Sequence, residues 1–261
     1  MKPEDKMDMN LRKTGASPVI STLLLTAVIL VLVISTSIYA MNRIDYEKAK
    51  AEYDYMKECF AKMASYADSV LFSEGATISY PLIISRGLLN VVNDTMLRLT
   101  ITLDGNIVFD ATFDTANLTY IAPGVTYVGT EYLYGNFTRR VIGTDEYLPI
   151  PASYTAYVEG LGPIISLDFR RAKVTSFGRM NIEGTYYNYI VVLVVESYAK
   201  VLSPRPSSIM FACRGVRTYD PIVGYGSITV TVTCHGSEYI TLPTDYYIVV
   251  IQACTLHLEA R

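Results

Sequence analysis

The side chains that most often carry chemistry are few in this chain, and their spacing does not assemble them. There are two histidines, His235 and His257, and four cysteines, Cys59, Cys213, Cys234 and Cys254. A zinc site draws three or four such ligands together at short spacings, and neither a Cys-x-x-Cys nor a close histidine pair occurs. His257 lies between Leu256 and Leu258, as a histidine on the solvent side of a strand would. Gly160-Leu161-Gly162 and Gly224-Tyr225-Gly226 lack the further glycine and following helix of a phosphate-binding loop, so they read as turns. Asp and Glu are scattered singly, with no pair that sequence nominates for acid–base work. The residues therefore predict no catalytic centre, no metal site and no cofactor.

Covalent modification is better represented. Asn-x-Thr sequons occur at Asn93, Asn117 and Asn136 in turn-rich sequence, which predicts accessible asparagines outside strand centres and, in an exterior compartment, glycosylation. The same compartment would permit disulfides, and four cysteines allow three full connectivities. Asp220-Pro221-Ile222-Val223-Gly224 reads as a turn near the midpoint between Cys213 and Cys234. A hairpin about Val223-Gly224 would set those two cysteines opposite each other, which makes Cys213–Cys234 the disulfide candidate and leaves Cys59 and Cys254 as thiols. Four thiols packed as small hydrophobes are the alternative.

Composition narrows the class. The 261 residues carry 22 Lys+Arg against 25 Asp+Glu, a net charge of -3, which argues against a nucleic-acid partner. Hydrophobic residues make up 51% and charged residues 18%, below the usual quarter. A mean hydropathy of +0.26 is too low for a protein with many membrane spans and fits one span joined to an ordinary domain. The 22 tyrosines, with no tryptophan, lean toward β-structure.

The elements follow from periodicity. From Ala16 to Asn42 there is no Asp, Glu, Lys, Arg or His, and the 24 residues Pro18–Met41 would span roughly 36 Å as a helix, enough to cross a bilayer. A cleaved secretory signal would have a shorter apolar stretch, so this segment is read as retained. Basic residues flank it equally on both sides, which leaves orientation open on the positive-inside rule. Beyond it, Tyr46, Ala49, Tyr53, Met56, Phe60, Met63, Ala67 and Val70 recur at alternating steps of three and four, an apolar seam on one helical face. The residues between them, including Lys50, Glu52, Lys57, Glu58 and Lys62, read as a solvated face. One helix is predicted from about Pro18 to Ser73, capped near Gly75, with its seam against the chain's own domain.

Residues 76–261 read as strands. Leu97, Leu99, Ile101 and Leu103 alternate with polar residues, and Asp104-Gly105 turns them into Ile107-Val108-Phe109. Ile228, Val230, Val232 and Cys234 alternate likewise, which predicts an inward Cys234. Tyr189–Val195 and Tyr247–Ile251 are continuous apolar runs, as central strands buried on both faces would be. The fold class is thus α+β: a long N-terminal helix, apolar then amphipathic, followed by an all-β sandwich of eight to twelve strands.

The flank of the apolar run carries a resemblance. Arg12-Lys13-Thr14-Gly15-Ala16-Ser17-Pro18-Val19-Ile20-Ser21-Thr22 resembles the processing site of archaeal type IV pilin-like proteins, which bear a class III signal peptide. The similarity covers about residues 12–75. It implies a prepilin peptidase that cuts on the cytoplasmic side between Gly15 and Ala16, with Arg12, Lys13 and Pro18 completing the motif. It also implies a 1–15 leader, a 16–75 transmembrane and assembly helix, and an extracellular 76–261 domain. The further partners implied are a pilus assembly platform with its ATPase, other pilin subunits met through the helix, and the membrane. Ile20 stands at the fifth mature position, where many bacterial pilins have Glu, so a charge-based register is not implied. The implied function is a cell-surface filament subunit used for structure or adhesion. The alternative is a membrane-tethered extracellular binding protein that shares the processing route.

Overall fold

Apolar runs, turn glycines and one long seam predict a helix followed by strands, and the chain folds that way. The structure, a computed structural model, describes residues 18–261 except 127–128, 137, 145–147 and 235; the side chains of residues 18, 19 and 94 also lie outside that description. Helix α1 spans Pro18–Val70, 53 residues without a break. It is followed by β1 (Thr77–Pro81), β2 (Leu88–Leu103), β3 (Asn106–Ile121), β4 (Glu131–Tyr134), β5 (Val141–Ile142) and β6 (Ala152–Val158). Then come β7 (Gly162–Asp168), β8 (Ala172–Ile182), β9 (Thr185–Val201), β10 (Ser208–Thr218), β11 (Ile222–Thr233) and β12 (Ser237–Ala260). By its internal contacts the chain divides into two units, one ending at Glu47 and the other covering Lys48–Arg261.

The helix stops three residues before the expected Ser73. Phe72, not Gly75, takes the left-handed conformation that ends it, at φ 60°. The Leu71 N–H still reaches Ala67 O at 3.2 Å, whereas the Ser73 N–H closes a tighter turn on Val70 O at 3.3 Å. A non-glycine residue at positive φ is unfavourable, and the Phe72 ring packing against the core offsets that cost. Gly75, at φ 78°, serves the turn into β1 instead.

The strands form one sheet in the order β4-β6-β7-β3-β2-β11-β12-β9-β8-β5, with β10 on β12 and β1 on β10. The expected β2–β3 hairpin forms, with Asp104 and Gly105 both at positive φ, 49° and 81°. Strand β12 organises the rest. Along one edge it pairs first with β11 and then with β10, and along the other it runs parallel to β9.

The two larger of three buried clusters lie on opposite faces of this sheet. Val249, Ile251 and Ala253 of β12 join Val192 and Val194 of β9, Val174 of β8, Val230 and Val232 of β11, and Leu97 and Leu99 of β2. Cys254, Leu256 and Leu258 of the same β12 belong to a second core, with Phe211 of β10, Leu118 of β3, Leu167 of β7 and the α1 seam. Successive strand residues point to opposite faces, so the change from odd to even numbers at Ala253/Cys254 is a change of face. The strands are β-sandwich at one end and helix-covered at the other. The apolar runs in β9 and β12 are nearly continuous because Ile248 and Val250, on the face opposite Val249 and Ile251, form a further small cluster with Val191.

Candidate functional site

The first half of α1 presents side chains with one property. Every residue from Ile20 to Asp45 is exposed, among them Leu23, Leu24, Leu25, Val28, Leu30 and Val31. This is one N-terminal helix long and apolar enough to cross a membrane. Two of its hydroxyls are turned back onto the helix: Thr26 Oγ1 donates to Thr22 O and Leu23 O, both at 2.9 Å, and Thr36 Oγ1 to Leu32 O at 2.8 Å and Val33 O at 3.0 Å. Hydroxyls bonded this way add little polarity to the surface. Charge resumes at Arg43, which pairs with Glu47 one turn on at 2.6 Å and lies over the Tyr46 ring at 5.7 Å.

The seam is then core. Ala49, Tyr53, Met56, Phe60, Met63, Ala67 and Val70 are all buried, Phe60 and Met63 at 0% exposure, and Tyr46 is half-buried. Lys50, Glu58 and Lys62 are exposed, as the pattern requires.

Two members of the supposed solvated face differ. Lys57 is half-buried and pairs with Glu131 of β4. Glu52 is the anchor. Its carboxylate accepts the N–H groups of Ser85 at 3.2 Å, Arg86 at 2.9 Å and Gly87 at 3.0 Å, and the Tyr120 hydroxyl at 2.9 Å. Three successive backbone N–H groups aimed at one anion make a nest. Burial alone would raise the Glu52 pKa, but the donors from Gly87, Arg86, Tyr120 and Ser85 together hold it below the usual value. Gly87 is needed there because a Cβ would fall 2.1 Å from the Tyr120 ring. A groove of about 430 Å³ runs beside the anchor, lined by Lys48, Ala51, Glu52, Tyr55, Ile83, Ser85 and Arg86.

A second fixed charge lies between β7 and β8. Asp168, at 0% exposure, accepts the Arg170 N–H at 2.9 Å, Arg170 Nε at 2.8 Å, Arg170 Nη2 at 2.7 Å and Arg140 Nη1 at 2.9 Å. Burial would raise its pKa, but the Arg170 fork and Arg140 bring it down to about 2. Neighbouring Arg171 donates Nη1 to Pro149 O at 3.1 Å, and burial pulls its guanidinium down to about 10. Asp168 is thus held between two guanidinium groups within the fold.

The other expected sites are dispersed. Arg12, Lys13, Gly15 and Ala16 lie outside the described residues; Pro18 opens α1. Asn93 is exposed at the β2 irregularity, where its side-chain amide donates to Ala199 O at 3.0 Å. Asn136 lies in a loop and accepts from Thr138 Oγ1 at 2.7 Å. Asn117 departs from expectation. It is half-buried inside β3, paired with both β2 and β7, and accepts the Ser166 hydroxyl at 2.7 Å.

The Cys213–Cys234 pairing is corrected as well. β10 pairs with β1 and β12, not β11, so the hairpin that would have faced these cysteines does not form. Cys234 lies just past β11 in the turn to β12, half-exposed, with its N–H on Gly236 O at 2.9 Å. No two cysteines are bonded in this structure, and Cys213 faces Cys254 instead of Cys234. Cys59 is buried on α1, its sulfur 3.7 Å from the Tyr80 hydroxyl. His257 is exposed on β12 against Tyr198, and His235 lies outside the described residues.

Among the described residues there is no group of three or more His, Cys, Asp or Glu that could hold a metal ion. No protein-family model, curated protein or solved structure matches the chain.

Proposed function

We propose that the chain is a type IV pilin-like subunit of a cell-surface filament. In this reading a prepilin peptidase removes residues 1–15, and the apolar half of α1 holds the mature protein in the membrane with its N-terminus in the cytoplasm and its β-domain outside. The assembly platform and its ATPase then draw the helix into a bundle with other pilin subunits. The role is structural or adhesive, without catalysis.

One observation carries the reading. A single unbroken helix exposes apolar side chains along its first half and forms the core of a β-domain with its second. Lipid tails and packed apolar helices are similar surroundings, so moving such a segment between them costs little. A charge between residues 20 and 41 would be penalised in both places, and none occurs. The Glu52 nest and the buried seam support the same role, because they tie residues 48–70 to the domain that the helix must carry.

The tethered binding-protein alternative also has an observation in its favour. Tyr225 and Tyr246 are exposed side by side on β11 and β12 at 4.7 Å, with Tyr187 of β9 at 5.6 Å from Tyr246. Shearing of intact cells separates the readings. The filament reading expects processed protein in the sheared fraction, lost when Gly15→Val blocks cleavage. Processed protein that stays wholly with the membrane would favour the tethered alternative.

A further inference from the structure

We propose that Cys213 and Cys254 are joined by a disulfide in the exported protein, and that the bond forms before the end of α1 closes over them. The exterior location rests on the function proposed above; the pairing rests on geometry alone.

The two sulfurs are 3.3 Å apart, and their residues are exposed by 1% and 0%. The β10–β12 pairing brings them together. Cys213 is opposite Leu256, Val216 is opposite Cys254, and the register slips between Cys213 and Gly215. Cys254 is two residues along β12 from Leu256, the partner of Cys213, so the two cysteines are diagonal neighbours on one face, and both belong to the helix-covered core. A disulfide needs the sulfurs at about 2.05 Å, so rotation of the two χ1 angles has little more than 1 Å to close. The other two cysteines have no such neighbour: Cys59 sits against Tyr80, and Cys234 lies in the turn after β11.

The connection from α1 to β1 seals the pair. The Gly75 N–H donates to Cys213 O and the Cys213 N–H to Ala76 O, both at 2.9 Å, and Leu71 and Phe72 pack into the same core. Burial also pushes the Cys254 thiol up to about 12, so in the closed fold it scarcely forms the thiolate that exchange requires. Oxidation therefore belongs to folding. One thiol loses its proton and attacks a donor disulfide, releasing one donor thiolate, which takes up that proton. The second cysteine, as thiolate, displaces the other donor sulfur and closes the Cys213–Cys254 bond. The pair is oxidised by two electrons and the donor is reduced to two thiols. The bond staples β10 to β12 and encloses all of β11.

The test uses the full chain in detergent and has two arms. In the first, reduced unfolded chain is refolded with oxidised and reduced glutathione, blocked with iodoacetamide and mapped without reductant. The expected result is one cross-linked peptide pair containing Cys213 and Cys254, with Cys59 and Cys234 alkylated. Reduced chain that is already folded should keep its thiols in the same buffer. A Cys234→Ser variant should still form the bond, and Cys254→Ala should not. In the second arm, protein from native membranes is mapped in the same way and should carry the same link. Four alkylated thiols in both arms, or a link between other cysteines, would overturn the pairing. A link on refolding but thiols in the native protein would overturn the native bond and count against the exterior location, with the geometry shown competent.

Discussion

Removing the Glu52 carboxylate should loosen the joint between the helix and the sheet domain more than any other exposed-face change on α1. Glu52→Ala withdraws the acceptor from three backbone N–H groups and from the Tyr120 hydroxyl. Hydrogen bonds to a charged group contribute about 1.5–3 kcal/mol each in protected surroundings. Here solvent reaches part of the carboxylate and can replace it at the freed donors, so a total of about 2–3 kcal/mol is the reasoned loss. Glu52→Gln keeps one oxygen but turns an NH₂ toward N–H donors, and should lose most of the same amount. Tyr120→Phe removes one donor and should cost about 1 kcal/mol. Urea unfolding of the full chain in detergent, followed by tyrosine fluorescence, measures all three. The pH dependence has a definite sign. The Glu52 pKa is lowered in the fold, so its contribution is complete above the unfolded value of about 4.3 and is lost as pH falls through the folded value. A Glu52→Ala loss below about 0.5 kcal/mol would refute the nest as the anchor, because it would place the variant among ordinary surface substitutions.

The remaining predictions concern the core, acid stability and glycans. Phe60→Ala, at a fully buried seam position, should cost about 3–5 kcal/mol by denaturant unfolding, while Lys62→Ala should stay within about 0.5 kcal/mol. Asp168 has its folded pKa depressed to about 2, so its stabilisation is complete above about 4 and disappears as pH drops toward 2. An acid titration of Asp168→Asn should therefore start less stable at neutral pH and show a shallower loss over that window. Peptide mapping of glycans on the native protein should find Asn93 or Asn136 occupied and Asn117 bare, since Asn117 is held inside β3 by Ser166.

The helix was legible in the sequence because its signals are local. A charge-free run needs no partner to be recognised, and the three–four spacing from Tyr46 to Val70 is a property of one face. The same holds for the Asp104-Gly105 hairpin and for the continuous apolar runs of β9 and β12. What was not legible depends on segments far apart in sequence. Glu52 sits beside the seam, and only the arrival of Ser85-Arg86-Gly87 more than thirty residues later turns it from a surface charge into an anchor. The sole local hint was a turn-like Ser-Arg-Gly following an apolar run. The sequence points Cys213 to its nearer partner because adjacent strands usually pair. β12 is long enough to take β11 and β10 end to end on one edge, which sends Cys213 to Cys254. Cys234 failed as an inward residue because the alternation of β11 stops at Thr233. Asn117 lies within a polar–apolar alternation that reads equally as strand or turn-rich loop until β7 pairs with it.

The central claim is that α1 begins a mature, processed subunit, and N-terminal sequencing of the membrane-bound protein tests it most directly. The account predicts a first residue of Ala16, and an uncut precursor when the peptidase is inactive or Gly15 is replaced by Val. An intact Met1 in peptidase-competent cells, or a mature start beyond Met41, would contradict it.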